Sequence, residues 1–168
     1  MEPLGANGHG SISSLLSDRA IWIGAEATDW RDAIRRAGDA LVASGAVANE
    51  YTDEMIATVE TLGPYIVIAP GIALAHSRPS PAVRRSGLSI VTLRHPVAFG
   101  HRTNDPVRLV VGLAAPDDAG HVDALASLAG FLVDDARREA LLAAGDSAAV
   151  QSLIRDWERT EEAEASPA

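Results

Sequence analysis

Cysteine is absent from the 168 residues, which rules out disulfides, thiol nucleophiles and thiolate metal sites and fits a reducing cytoplasm. Lysine is absent as well, since all 14 basic residues are arginine. A lysine Schiff base and a P-loop lysine are thereby excluded, and no GxxxxGKS/T string occurs. No GxGxxG follows a strand-like run, which argues against a dinucleotide fold. Without a GxSxG elbow a Ser-His-Asp hydrolase is weakly supported, and without HxH or HExxH spacing so is a zinc site. No apolar run approaches the length of a bilayer span, so no membrane insertion is expected. Met1 to Ser14 lack the basic and then apolar order of a signal peptide. Positive charge is scarce: the net charge is −9 and the pI about 4.9. That balance discounts nucleic acid and anionic membranes as partners, because both reward a basic face. Basic patches on protein partners suit it better.

Apolar residues make up 47% of the chain, enough for one domain with a real core. Residues 1–10 read as a flexible lead and 160–168 as an acidic tail, leaving 11–159 as the folded domain. Ile12–Leu16 can start a short helix, and Ala20–Ile23 reads as a short strand. Thr28 is a plausible N-cap for a helix to Ser44 with Trp30, Ile34, Ala37, Leu41 and Val42 on one face. A second helix spans Glu50 to Leu62, with Tyr51, Met55, Ile56 and Val59 on its apolar side, and stops at Gly63-Pro64. Tyr65–Ala69 and Ile72–Ala75 read as strands on either side of Pro70-Gly71. Gly87–Leu93 and Val107–Ala114 are β-like runs, continuous rather than alternating, as expected of strands covered on both faces. Helical patterns return over His121–Val133, Ala136–Ala144 and Ser147–Arg159. This order predicts an α/β fold, a single-domain layered sandwich with a mixed β-sheet flanked by helices on both faces. Strand order is not legible.

Five histidines are present: His9, His76, His95, His101 and His121. His76 closes a strand-like run and precedes Ser77-Arg78-Pro79. Imidazole is partly neutral at pH 7, so one nitrogen can attack phosphorus without prior deprotonation. The dianionic group so formed needs donors, and Ser77, Arg78 and backbone N–H groups are the local candidates. Spacing alone leaves His76 open between nucleophile, structural residue and exposed bystander. His121 opens a helix after Asp117-Asp118-Ala119-Gly120, where the positive helix end keeps it neutral and backbone donors favour an adjacent anion. Both histidines sit at strand-exit loops and can share one pocket. His9, His95 and His101 read as surface residues, and Arg84-Arg85 with Arg94 and Arg102 as a local positive rim.

The strings PYIVIAPGIALAHSRP and GLSIVTLRHPVAFGHRTNDPVRLVVGLAAPDDAGHVDALASLAGFLVDD resemble the mannitol/fructose-type enzyme IIA domains of the sugar phosphotransferase system. The Pro-Gly-x-Ala-x-x-His segment, the Asn-Asp-Pro-Val strand entry and the Ala-Ala-x-Asp…His loop occur in that family's order, over roughly Leu15 to Trp157. Two departures stand out. The family usually has Pro-His-Gly where this chain has Ala75-His76-Ser77, losing a fixed φ and adding a Cβ. An upstream arginine of the mannitol and fructose members is missing from Thr58–Pro64, where Gly-Pro-Tyr matches the ascorbate-type branch instead.

The resemblance implies that His76 accepts phosphate from phospho-HPr and passes it to a cysteine of enzyme IIB, with the IIC permease served indirectly. It implies that His121 steadies the phosphoryl group and that no metal or organic cofactor takes part. A phosphorylation-state sensor of the same fold is the alternative role, and a homodimer is left open.

Overall fold

Two long apolar runs set the architecture. In the computed structural model, which describes residues 11–165, they are the strands β4 (Gly87–Val97) and β5 (Val107–Ala114), both buried over most of their length. Before them come α1 (Ile12–Leu15), β1 (Leu16–Ala25), α2 (Trp30–Ala43), α3 (Glu50–Leu62), a 3₁₀ turn at Pro64–Ile66, β2 (Val67–Ala69) and β3 (Ile72–His76). After them come α4 (Asp118–Leu132), α5 (Asp135–Ala143) and α6 (Ser147–Ala165). The five strands form one sheet in the order β1-β4-β5-β3-β2. β1 runs parallel to β4 and β3 parallel to β5, while β4/β5 and β2/β3 are antiparallel, so the sheet is mixed. Helices flank it, which is the layered α/β arrangement expected from the order of elements.

Strands apolar on both sides need cover on both sides. α2 lies over the face carrying Ser89, whose hydroxyl donates to the Ala37 carbonyl at 2.8 Å. The buried Gln151 of α6 donates to the Leu16 carbonyl at 2.9 Å and ties the C-terminal helix to β1. α2 and α3 cross closely enough that a Cβ on Gly38 would meet the Thr52 hydroxyl at 2.0 Å, so only glycine fits there. That crossing seats α3 with Tyr51, Met55, Ile56 and Val59 buried, each such side chain contributing about 1.5–3 kcal/mol. The residues expected on the apolar side of this helix are the ones found there.

Several boundaries moved, each for a physical reason. Tyr65–Ala69 is not all strand, because Pro64 opens a 3₁₀ turn closed by Val67 N–H on the Pro64 carbonyl, leaving Val67–Ala69 extended. β1 outruns Ala20–Ile23 in both directions because pairing with β4, with two register shifts, sets its length. β4 passes Leu93 to pair Val97 with Val107. Asp29 rather than Thr28 caps α2, its carboxylate accepting from Asp32 N–H at 2.8 Å. α6 continues past Arg159 into the stretch read as a tail. The lead at 1–10 lies outside the described residues.

Candidate functional site

The hairpin joining β2 to β3 turns at Pro70-Gly71, with Gly71 at φ +75°, where a side chain would be strained. β3 then runs beside β5 until His76 stands opposite Leu113 at the end of the ladder. Ala75 is buried and leaves its N–H free for that ladder, which proline would not. Among the described residues no non-glycine has positive φ, so Ser77 carries no left-handed strain at the usual glycine position.

The His76 ring is tethered: Nδ1 lies 2.9 Å from the Leu74 carbonyl oxygen. A carbonyl only accepts, so Nδ1 carries the proton and Nε2 keeps its lone pair. His121 faces it from α4, the ring centroids 5.3 Å apart and tilted by 51°. Burial, and next the neighbouring His76, push the His121 pKa below the usual histidine value, while Asp118 opposes the shift. Its Nδ1 is buried and has no hydrogen-bond partner in the protein. The two rings sit in an open cleft of about 570 Å³ whose wall includes Thr58, Tyr65, Ser77, Arg78 and Asp118.

The helix carrying His121 begins earlier than its sequence suggests, and that corrects one expectation. Asp117 is the cap, accepting from Gly120 N–H at 2.7 Å, and His121 N–H already bonds the Asp117 carbonyl at 3.2 Å. The Gly120 and His121 N–H groups are therefore taken, and α4 presents the side chains of Asp118 and His121 to the cleft.

Ser77 and Arg78 both reach the cleft, in different states. The Thr58 hydroxyl gives its proton to the Glu54 carbonyl at 2.9 Å, so across the 3.2 Å contact between them Ser77 is the donor and Thr58 the acceptor. Arg78 is exposed and has no hydrogen bond or ion pair among the described residues. His95 lies on the exposed end of β4, and His101 Nδ1 accepts from Thr103 and Asn104 N–H in a turn, so neither joins the site. Arg94 pairs with Glu26, and Arg85 donates to the Ser44 carbonyl. Among the described residues no three His, Asp or Glu side chains converge as a metal-ligand set.

Residues 14–157 match the profile of the family described as "Phosphoenolpyruvate-dependent sugar phosphotransferase system, EIIA 2". The chain belongs to that family. It is 37% identical over 142 residues to the ascorbate-specific PTS system EIIA component of Salmonella typhimurium, covering 84% of this chain and 92% of the relative. The solution structure of the mannitol-specific cryptic phosphotransferase enzyme IIA CmtB from Escherichia coli superposes with a TM-score of 0.77 at 27% identity, over 86% of this chain and 97% of that one. The enzyme IIA of the Escherichia coli mannitol system, solved in complex with phosphorylated enzyme IIB, gives a TM-score of 0.74 at 27% identity over 84% and 99%. As an EIIA phosphocarrier, this chain is a phosphotransferase component that works through a phosphohistidine and deals with HPr and EIIB proteins. No helix of the described residues is long and apolar enough to cross a membrane.

Sequence reasoning passed over Tyr51 and Thr58 in this EIIA site. Tyr51 fell on the apolar side of a helix, a pattern that reads as core whether or not the hydroxyl has work to do.

Proposed function

We propose that His76 Nε2 is the nucleophile that takes the phosphoryl group from phospho-HPr and yields it to a cysteine of enzyme IIB. One observation carries the reading: two imidazoles share a cleft, and the one at the strand end has its Nδ1 proton held by the Leu74 carbonyl. Attack forms the Nε2–P bond as the bond between phosphorus and the donor breaks, its electron pair leaving with the donor. Such a transfer depends on positioning and on charge stabilisation. His121 steadies the transferring oxygens as a neutral ring. Arg78, unpaired and on the rim, supplies positive charge that the missing upstream arginine does not. Asp118 disfavours an anion beside it, so Arg78 and His121 carry that load. Ser77 can donate to phosphate only by releasing Thr58.

The compound served is ascorbate or a related carbohydrate, with transport by a IIC permease and the carrier working in the cytoplasm. The ascorbate-specific relative supports this, as does the Gly63-Pro64-Tyr65 string, of which Tyr65 lines the cleft. Incubation with phosphoenolpyruvate, enzyme I and HPr is expected to give an acid-labile, base-stable phosphate on the intact protein and none on His76→Ala. Label persisting in that variant would move the chemistry to another residue.

A further inference from the structure

Leu109 N–H donates to the Gly71 carbonyl at 3.0 Å. β3 and β5 run parallel, with Ile72 opposite Leu109 and His76 opposite Leu113. In a parallel ladder, alternate residues of a strand direct both backbone groups to the same neighbour. Gly71 sets the phase, so Ala73, Ala75 and Ser77 are the positions that bond β5. The rung beyond Ala75 would run from Ser77 N–H to the Leu113 carbonyl. It is not made directly. Ser77 N–H donates to the Tyr51 hydroxyl oxygen at 3.0 Å, and that hydroxyl donates to the Leu113 carbonyl at 2.7 Å. The Ser77 carbonyl lies farther from the same hydroxyl, at 3.2 Å. Tyr51 is wholly buried, and burial pushes its pKa up to about 12, so the hydroxyl keeps its proton near neutral pH.

We propose that Tyr51 is a positioning residue for phosphotransfer: its hydroxyl, inserted in the last rung between β3 and β5, parts the two strands immediately after His76 and holds Ser77 where the ring is aimed into the cleft. The inference rests on His76 being the phosphate acceptor. A second contact from the same helix supports it. Thr58, two turns further along α3, accepts the Ser77 hydroxyl proton, so α3 grips Ser77 at its backbone and at its side chain. Removing the Tyr51 hydroxyl leaves Ser77 N–H and the Leu113 carbonyl free to close on one another, drawing the residue after His76 towards β5. A buried donor and acceptor do not stay unpaired when they can meet.

Tyr51→Phe keeps the ring and removes only the hydroxyl. With phospho-HPr as donor, the folded variant is expected to show kcat for phosphate acceptance lowered roughly 10- to 100-fold, with KM within about twofold of wild type. An unchanged kcat in the folded variant, or a loss carried wholly by KM, overturns the proposal. Wild-type protein that takes no label would sink the reading of His76 and leave the inserted rung to a second measurement. That measurement is amide hydrogen exchange on the unaltered protein, which depends on no variant folding. Ser77 N–H is expected to be protected like Ala75 N–H, and exchange at the rate of an unstructured loop would overturn the inserted rung.

Discussion

The two histidines of the cleft are held in opposite ways. His76 sits at the end of a strand, its Nδ1 tethered to the Leu74 carbonyl and the next residue gripped by α3. His121 sits in the first turn of a helix, its Nδ1 buried and without a protein partner, its charge disfavoured by burial. A nucleophile needs one nitrogen aimed and unprotonated, which a fixed tautomer on a fixed strand end provides. A residue that steadies a transferring group needs to face it, and His121 lines the cleft with its ring towards His76. Leaving a buried polar atom unpaired costs about 1–3 kcal/mol, a cost that falls on His121 and not on His76.

The sharpest way to break this division is to remove each ring in turn. His76→Ala is expected to abolish labelling, whereas His121→Ala is expected to slow transfer about 100-fold while His76 still accepts phosphate, the scale for losing one stabilising group. Equal losses in the two variants, followed by quenched-flow labelling, would erase the distinction. Arg78→Ala comes next, with a loss of about 3- to 10-fold in rate. Because Arg78 is exposed and unpaired, the unfolding free energy of this variant in urea is expected to stay within about 0.5 kcal/mol of wild type. A stability loss without a rate change would make it structural.

Stability tests the helix side. Asp117→Ala removes the cap of α4 and is expected to cost about 1 kcal/mol in urea unfolding. It should slow transfer more than Arg78→Ala only if the helix start also aims His121. The smallest effect concerns pH. His121 has a pKa below its unfolded value, so the unfolded chain binds the proton more readily. Its contribution is intact above about pH 6.5 and is lost as pH falls through the lowered folded value. Urea midpoints between pH 7 and 5 are expected to fall less steeply in His121→Gln than in wild type. Identical slopes would show that His121 is not held neutral by the fold.

Much of this was legible from residue order. The 3.6-residue spacing of Tyr51, Met55, Ile56 and Val59 placed α3 between its observed ends, and the unbroken run Val107–Ala114 gave β5 its observed limits. His76 and His121 were picked out by their positions at strand exits, and the motif order around them named the family. Some missed boundaries were local, at the Pro64 turn and the Asp29 cap, and others lay where a partner decides the length. β1 reaches back to Leu16 because Leu16 pairs with Leu88 of β4 beyond a register shift that spans Ser17, Asp18 and Arg19, and no local pattern reports that.

By itself, then, the sequence determined which segments are helix or strand, that no thiol or lysine chemistry is available, and which family the chain belongs to. Tertiary structure alone decided the strand order, the burial that lowers the His121 pKa and leaves its Nδ1 unpartnered, and the junction of Tyr51 with Ser77 and Leu113. The reason is the range of the forces involved. Periodicity and capping act within a few residues, whereas these contacts join positions 26 and 62 residues apart. Tyr51 reads as core because it is core, and its hydroxyl acquires a task only when β3 and β5 end beside it.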